Sequence, residues 1–299
     1  MTNTIARLSP FSLSGRWFKG NVHTHTTQSD GRFSPQQAID WYRQQGYDFL
    51  AITDHWVLTP GKVIDDDFVT ITGTEVDGAG YHILALGLET LPDQEGGDAV
   101  QWVTDSIRTA GGLAFMAHPY WTGQTSAEIA AVEGILGIEV FNSVCEKTTG
   151  LGHSRVHWDE LLAQGAHLTG LAVDDTHWKH DAAGKGFLMV RCDQFDEESI
   201  LKAIGEGHFY ASMGPIIEDL RLLEREEELL LHVDCSPCQS VTFYAFRSKG
   251  HRFEAEGDGV LESASYPVRE EQLYLRVECL DAAGNVAWTN PIFVRDLLE

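Results

Sequence analysis

The chain has few basic residues for its size. Its 299 residues include 21 Lys and Arg against 45 Asp and Glu, which gives a formal net charge of −24 at pH 7. Proteins that bind nucleic-acid backbones or anionic membranes concentrate Lys and Arg, so this balance disfavours both kinds of partner. A small phosphorylated substrate stays open if metal ions supply local positive charge. We therefore expect a small-molecule substrate, no large nucleic acid and no membrane, and we leave a homo-oligomer open.

Cysteines are also scarce, and long hydrophobic runs are absent. The five cysteines, at positions 145, 192, 235, 238 and 279, are odd in number and scattered, which favours a reducing cytoplasm over a disulfide framework. Cys235 and Cys238 enclose Ser-Pro without a second pair at zinc spacing, so we predict a turn there. No stretch approaches the roughly 20 apolar residues that span a bilayer. The opening MTNTIARLSPFSLSG lacks the apolar core of a signal peptide, so none is expected there.

The first two-thirds of the chain alternates strand-like runs with helical patterns. Ser34-Pro35 predicts the start of a helix that ends near Gly46. Further helices are predicted near residues 98–110, 125–133, 154–164 and 196–205. The strand-like runs are YDFLAITDH, FVTIT, YHILALG, LAFMAH, GIEVFN, HLTGLAV and FLMVR. This alternation predicts a largely parallel sheet, and seven or eight strands in about 200 residues predict a closed or nearly closed barrel.

The pattern changes near Gly214-Pro215. From about residue 216 onward there are strand-like segments such as LLLHVD, VTFYAF and LYLRVECLD, with a turn at DAAGN and no convincing helix. Short strands separated by turns are typical of a small antiparallel sandwich. We therefore predict two domains, an α/β barrel over residues 1–214 and an all-β sandwich-like domain over residues 215–299.

Metal-competent side chains recur at the ends of these predicted strands. In HTH, His23 and His25 are alternate residues and face the same side of a strand. His82 lies at the start of its run, as though that strand ran the opposite way or the site reached its near end. The other strand-end residues are Asp54, His55, Glu75, His118, Asp175 and His177. Each motif alone has an ordinary structural explanation, but their coincidence at the strand ends predicts a metal site. His, Asp and Glu without Cys suit Zn²⁺, Mn²⁺ or Fe²⁺.

The motifs HTH, SDG, TDH, GTE, YH, HP and DTH occur in an order that resembles the PHP family, named for polymerase and histidinol phosphatase. The resemblance covers roughly residues 18 to 214. It implies a distorted (βα)7-type barrel of the α/β class that holds two or three metal ions. The stretches WFKGNVHTHTTQSDG and GHFYASMGP are most similar to the branch that contains carbaryl-type carbamate hydrolases and uncharacterised metallohydrolases, among them metal-dependent phosphoesterases.

The resemblance also implies a ligand set for each ion. One metal would be held by His23, His25, Glu75 and Asp175. A second would be held by Glu75, His82 and His118, and a third by Asp30, His55 and His177.

The first functional hypothesis is a metal-dependent phosphoesterase, in which a hydroxide bridging two ions attacks phosphorus. In this hypothesis Asp54 orients a ligand histidine. Arg155, Lys147 and Lys179 follow later strands and would bind phosphate, with Arg155 also assigned to catalysis, although an ordinary solvated cation explains each of them as well.

Two alternatives stay open. The same hydroxide could attack carbon in a carboxylic ester, a carbamate or an amide. Aromatic residues near strand ends could then line an apolar pocket: Trp121, Phe141, Trp158 and Trp178. The chain could instead be a non-catalytic scaffold that binds partners through its C-terminal sandwich. The presence of all nine candidate ligands argues against this last hypothesis.

Overall fold

The computed structural model describes residues 10–92, 99–226 and 228–298. Strands in this part of the chain form three sheets, of eleven, five and three strands. Helices lie between strands mainly in the first two-thirds of the chain. No helix of the described residues is long and apolar enough to cross a bilayer. The mixed α/β class is confirmed.

The N-terminal part of the eleven-stranded sheet begins at β1 (Arg16–Asn21), which pairs in parallel with β2 (Phe49–Ala51). β2 pairs in parallel with β4 (Phe68–Ile71), and β3 (Lys62–Asp65) closes this edge antiparallel to β4. The crossover from β1 to β2 is helix α1 (Pro35–Gln44).

Helix α1 begins where its capping residues predict. The Ser34 hydroxyl accepts a hydrogen bond from the Gln37 backbone N–H, and the Gln37 side chain accepts one from the Ser34 N–H. Pro35 occupies the first helical position, where its missing N–H costs nothing. Gly46 follows the helix with φ of 73°, a left-handed conformation that favours glycine. The helix predicted from Ser34 to Gly46 is confirmed.

The five-stranded sheet supplies the opposite side of the site. Its strands lie in chain order and are β5 (Gly73–Gly78), β6 (Tyr81–Leu86), β7 (Leu113–Met116), β8 (Gly137–Asn142) and β9 (Thr169–Val173). β7, β8 and β9 are parallel, whereas β6 runs antiparallel to both β5 and β7. The start of β6 therefore lies beside the ends of its neighbours. Of the two explanations left open for His82, the reversed strand direction is the one that the structure shows.

The strand pairing does not form a closed barrel among the described residues. The five-stranded sheet and the N-terminal strands are joined instead by isolated parallel bridges, Thr24 with Thr176 and His55 with Glu75. These bridges lie just beyond the ends of β1, β9 and β2, where the backbone leaves regular strand geometry. The closed or nearly closed barrel predicted from the sequence is therefore present only as a mixed α/β fold with separate sheets.

Helices cover the outside of these strands. All four predicted helical regions contain one: α2 (Val100–Thr109), α4 (Ser126–Ala130), α6 (Arg155–Ala163) and α7 (Glu197–Gly205). Two short helices, α3 (Pro119–Thr122) and α5 (Ser143–Thr149), directly follow β7 and β8 at the site. A large buried cluster that includes Phe115, Ile138, Leu171 and Ile204 fills the space between the sheets and these helices.

The eleven-stranded sheet continues into the last third of the chain. β10 (Phe187–Cys192) pairs antiparallel with β1, and β11 (Phe209–Ser212) pairs with β10. β18 (Val286–Thr289) then pairs with β11, so hydrogen bonds cross the segment around Gly214-Pro215. The remaining strands of this sheet are β14 (Ser240–Ala245), β15 (His251–Glu254), β17 (Tyr274–Leu280) and β19 (Ile292–Phe293).

The three-stranded sheet packs beside these strands. It contains β12 (Ile217–Arg225), β13 (Glu228–Cys238) and β16 (Leu261–Pro267), all antiparallel. A second buried cluster joins Leu231 and Val233 of β13 to Phe243 and Val277 of the larger sheet. Antiparallel β-structure after residue 216 is thus confirmed, although the chain adds helix α8 (Val294–Leu298). The Cys-x-x-Cys segment lies at the bulged end of β13, so the predicted turn was wrong.

Candidate metal centre

One cavity of about 320 Å³ opens where the ligand-bearing strand ends meet. Seven of the nine predicted metal ligands line it: Asp30, His55, Glu75, His82, His118, Asp175 and His177. The other two, His23 and His25, are fully buried and contact the lining carboxylates. The structure therefore brings all nine side chains to one place.

The buried part of the centre consists of two imidazoles facing two carboxylates. His23 Nε2 lies 3.2 Å from Glu75 Oε2 and 3.3 Å from Asp175 Oδ1. His25 Nε2 lies 3.1 Å and 2.9 Å from the same two oxygens. The ligand atoms of these four residues all lie within 4.8 Å of one another, so they could hold one metal ion. This is the set that the resemblance implies for the first metal.

Glu75 contacts a second group of imidazoles with its other oxygen. Glu75 Oε1 lies 2.8 Å from His82 Nδ1 and 3.1 Å from His118 Nε2. His55 lies on the side of the other oxygen, where its Nδ1 is 3.3 Å from Glu75 Oε2. The two oxygens of one carboxylate thus face different sets of nitrogen atoms, which is the arrangement that a bridging ligand needs.

The third group lies nearer to solvent. His177 Nε2 is 3.2 Å from Asp30 Oδ1, and the His177 ring stacks on His25 at 4.1 Å between centroids. Ligand atoms of His25, Asp30, His55 and His177 lie within 4.8 Å of one another. Asp30 also contacts a cation, since Lys179 Nζ lies 2.9 Å from its Oδ2.

The backbone is strained at this site. Of the seven non-glycine residues with positive φ in the described chain, two are His118 (27°) and Asp175 (52°). Two others, Trp56 (54°) and Trp178 (61°), directly follow His55 and His177. Such conformations cost about 1–3 kcal/mol each and tend to cluster at functional sites, where surrounding contacts enforce them.

The electrostatics show a surplus of carboxylate charge. Burial lowers the pKa of His23, but the nearby carboxylates, led by Asp175, outweigh burial and raise that pKa well above its usual value. Burial also lowers the pKa of His25, but the facing carboxylates of Asp175 and Glu75 outweigh burial and raise that pKa to about 9. Burial raises the pKa of Glu75, but His23 and its neighbouring imidazoles outweigh burial and hold that pKa well below its ordinary value. The pocket therefore attracts positive charge.

One buried oxygen indicates that a metal ion fits this donor set. Asp175 Oδ1 forms no well-aligned hydrogen bond within the described chain, although His25 Nε2 lies only 2.9 Å away. An unpaired buried carboxylate oxygen is costly unless a cation satisfies it. Imidazole nitrogen with carboxylate oxygen is the ligand combination that suits Zn²⁺, Mn²⁺ or Fe²⁺.

Glu139 is a functional residue that the sequence analysis missed. This fully buried carboxylate lies 2.5 Å from His23 Nδ1 and accepts a hydrogen bond from the His118 backbone N–H at 2.8 Å. It also accepts one from the Asn142 amide, which in turn donates to Asp175 Oδ2. The available signal was a Glu inside the apolar run GIEVFN, because buried carboxylates are rare unless paired.

Within the described chain, Asp54 reaches a ligand histidine only through its partner Ser29, whose hydroxyl lies 3.5 Å from His25 Nδ1. Its buried carboxylate accepts hydrogen bonds from the Thr26 backbone N–H at 2.7 Å and from the Ser29 hydroxyl at 2.6 Å. Both partners belong to the loop that joins His25 to Asp30. Asp54 thus fixes the path of this loop, because its carboxylate binds the loop at both Thr26 and Ser29.

Two of the three predicted phosphate-binding cations lie outside the cavity. Arg155, the first residue of α6, points to β17, where its Nη1 lies 3.2 Å from Glu278 Oε2. Lys147 is exposed on α5 and does not line the cavity. Lys179 does line it, paired with Asp30.

Of the four aromatic residues considered for a pocket wall, only Trp121 lines the cavity. Phe141 and Trp158 belong to the buried core. Trp178 contacts the backbone of the centre. Its indole N–H donates to the His25 carbonyl at 3.0 Å, and its ring stacks on Phe33.

Comparisons with known proteins place the fold. No protein-family model and no curated protein matches the chain. A solved structure from Bacteroides vulgatus, described as a two-domain protein containing a predicted PHP-like metal-dependent phosphoesterase, matches 93% of this chain over 96% of its own length, with 15% identity and a TM-score of 0.54. An amidohydrolase from Chromobacterium violaceum matches 55% of this chain and 89% of that one, with 16% identity and a TM-score of 0.35. The first similarity shows a shared fold.

Proposed function

We propose that this protein is a metal-dependent phosphoesterase that acts on a small phosphorylated substrate. The observation that carries the proposal is the convergence of nine imidazole and carboxylate side chains on one cavity of about 320 Å³. Lys179 is the only Lys or Arg among the described residues that line the cavity. A cavity with this surplus of carboxylates would accept a phosphate only if divalent ions reversed its charge.

We assign the ligands to three sets, of which the first two share Glu75. His23, His25, Glu75 and Asp175 would hold one ion at the buried end. Glu75, His82 and His118 would hold a second, and Asp30, His55 and His177 a third nearer to solvent. Zn²⁺, Mn²⁺ and Fe²⁺ are the candidate ions.

When bound, such ions lower the pKa of water toward 7 and neutralise phosphoryl oxygens. The chain's own residues prepare the site for this chemistry. Glu139 fixes the ring of His23 through Nδ1, which leaves Nε2 directed at the cavity. Lys179 lies at the outer rim, where its ammonium group would pair with a phosphate oxygen in exchange for Asp30.

The identity of the bond that is hydrolysed rests on fewer observations than the metal site does. The solved protein from Bacteroides vulgatus that shares this fold is described as containing a predicted PHP-like metal-dependent phosphoesterase. That description and the order of motifs support membership of the PHP family and hydrolysis at phosphorus. Carboxylic esters, carbamates and amides are the alternative substrates, as in the carbaryl-type branch, and a cytoplasmic location stays a prediction.

Metal analysis and a substrate panel test the proposal together. Purified protein should bind at least one equivalent of Zn, Mn or Fe, and metal-loaded protein should hydrolyse phosphomonoesters faster than aryl carbamates or carboxylic esters. His25→Ala should lose metal and hydrolysis. His232→Ala is the matched control, because His232 lies on β13 and hydrogen bonds to Ser265, outside the cavity.

A protein that binds less than one equivalent even after Mn²⁺ or Zn²⁺ is added would contradict the metal-dependent activity. If the metal-loaded protein hydrolysed only carbamates or carboxylic esters, the reaction would be hydrolysis at carbon and not at phosphorus. Full metal content with no hydrolysis of any substrate would favour the non-catalytic scaffold.

A further inference from the structure

One wall of the candidate catalytic cavity carries no metal-competent carboxylate or imidazole. It is formed by Trp121 from α3 and by Val144, Cys145 and Thr148 from α5. The rest of the described lining consists of the ligand histidines and carboxylates together with Lys179 and His180. The cavity thus has one polar face for the reacting group and one largely apolar face for the rest of the substrate.

Trp121 is the largest side chain of the apolar wall and is open to the cavity. Its side chain is 42% exposed, and its ring meets His118 and His82 nearly edge-on, at 5.1 Å and 5.8 Å between centroids. The indole therefore lies directly beside the imidazoles of the proposed second metal. Trp offers an extended aromatic face, and aromatic rings prefer offset-stacked or edge-to-face contacts with other rings.

Cys145 adds to the apolar character of this wall. Burial, reinforced by the charges of Asp175 and other carboxylates of the centre, raises the pKa of its thiol far above the usual value. The thiol therefore stays protonated, and a protonated buried cysteine behaves as a small hydrophobic side chain rather than a nucleophile.

The charge and size of the cavity limit what can occupy it. Among the described lining residues, Lys179 is the only Lys or Arg, and it is paired with Asp30. The described lining thus offers no second lysine or arginine for another phosphate or carboxylate on the same substrate. The volume of about 320 Å³ is near the lower end of the range of about 300–1,000 Å³ for ligand pockets, so one ring fits better than a long chain.

We propose that the substrate is the phosphomonoester of an uncharged alcohol that carries a single aromatic ring, and that this ring packs against Trp121. The inference rests on the proposed phosphoesterase function and adds the chemical class of the leaving group. Trp121 then determines specificity, since the metal ligands hold only the phosphoryl group.

Phosphonate binding tests the ring site without requiring turnover. Metal-loaded protein is titrated with benzylphosphonate, cyclohexylmethylphosphonate and ethylphosphonate, and each dissociation constant is measured by calorimetry. Benzylphosphonate should bind about tenfold tighter than ethylphosphonate and tighter than the cyclohexylmethyl compound. Trp121→Ala should remove most of this preference, and Trp121→Phe should keep most of it.

Tyr120→Ala is the matched control. Tyr120 precedes Trp121 in the same helix and is similarly exposed at 44%, but its ring lies against His157 and does not line the cavity. The benzyl-to-ethyl ratio should stay unchanged in this variant, as should the metal content of all three variants.

The outcomes separate the two proposals. Equal binding of benzyl and ethyl phosphonates, absence of phosphonate binding, or a preference that survives Trp121→Ala would overturn the ring site. Equal binding of the benzyl and cyclohexylmethyl compounds would overturn the requirement for an aromatic ring. A Trp121-dependent benzyl preference without hydrolysis of benzyl phosphate would sink the phosphoesterase and leave the ring site standing. Benzyl and ethyl phosphate both release primary alcohols, so their kcat/KM ratio reports the ring contact.

Discussion

Two buried charged clusters in this molecule are built on opposite principles. At the candidate metal centre, imidazoles and carboxylates face one another around a cavity. In the second cluster, the fully buried Arg276 of β17 donates from Nε and Nη2 to Asp159 Oδ1 at 2.9 Å and 2.6 Å, and from Nη1 to Glu278 Oε1 at 2.7 Å. Its guanidinium also lies over the rings of Trp158 and Tyr244, at 4.7 Å and 4.1 Å.

The difference lies in how each cluster balances its charge. Asp159 and Glu278 have two guanidinium partners, Arg276 and Arg155, so the second cluster neutralises itself. Burial alone would lower the pKa of Arg276, but the carboxylates of Glu278 and Asp159 outweigh burial and raise it. At the candidate metal centre, the ion pairs of Glu75, Asp175 and Glu139 within the described chain are all with histidines, and none is with Lys or Arg. One cluster is closed and structural, and the other is open to a cation.

The largest effect is expected from Glu75→Gln. This change removes the carboxylate shared by two of the ligand groups, and the amide supplies only one neutral oxygen. Since even the partners that orient metal ligands contribute about 10–100-fold to affinity or activity, we expect metal affinity and hydrolysis to fall by more than about 100-fold. Equilibrium dialysis with elemental analysis measures the first quantity. Stoichiometric metal in the Glu75→Gln variant would mean that the first and second ligand sets do not share Glu75.

Arg276→Met should destabilise the fold without emptying the metal centre. It leaves Asp159 and the buried Glu278 without their main partner, and breaking a buried ion pair in this way costs about 3–5 kcal/mol. Urea unfolding measures the loss, and metal content per folded molecule should stay constant. The triple variant Arg276→Met, Asp159→Leu, Glu278→Leu should recover much of the stability, because no unpaired charge remains. A loss under about 1 kcal/mol for the single variant would show that the cluster is not self-contained.

Glu139→Gln tests whether the centre needs negative charge behind its ligands. The amide NH₂ would face the His118 N–H and the Asn142 amide, which are both donors, while His23 would lose a charged acceptor. We expect metal affinity to fall about 10–100-fold with the fold retained. Competition with a chelator gives the affinity. Glu160→Gln is the control, since Glu160 is an exposed partner of Ser126. An unchanged affinity would leave Glu139 a purely structural residue.

The sequence predicted most of the metal centre because its ligands follow a simple rule. Residues such as His118 and Asp175 lie just beyond the ends of β7 and β9, and the carboxyl ends of parallel strands meet at one edge. Glu139 lies inside β8, and a rule about strand ends does not predict such a residue. A sequence also does not give the direction of a long side chain. The position of Arg155 after a strand could therefore be predicted, whereas its ion pair with Glu278 could not.

The fold was predictable to a similar degree. Local patterns such as Ser34-Pro35 identified the helices, since capping depends on neighbouring residues. The pairing of β18 with β11 joins residues about 80 apart in the chain, for example Trp288 with Ala211, and no local pattern encodes it. The continuous sheet across Gly214-Pro215 therefore emerged only from the structure.

The smallest effect is expected from Arg155→Met, which distinguishes the two clusters most finely. The Arg155 side chain is 41% exposed and shares Glu278 with Arg276, so its loss should cost at most about 1 kcal/mol in urea unfolding, as for exposed ion pairs. Metal content and kcat/KM should match the unmodified protein within about twofold, because Arg155 pairs outside the cavity. A tenfold or greater fall in kcat/KM at full metal content would instead support the catalytic role predicted for Arg155 from the sequence. Lys179→Met, measured alongside, removes the cation that does line the cavity and should raise KM for the same substrate.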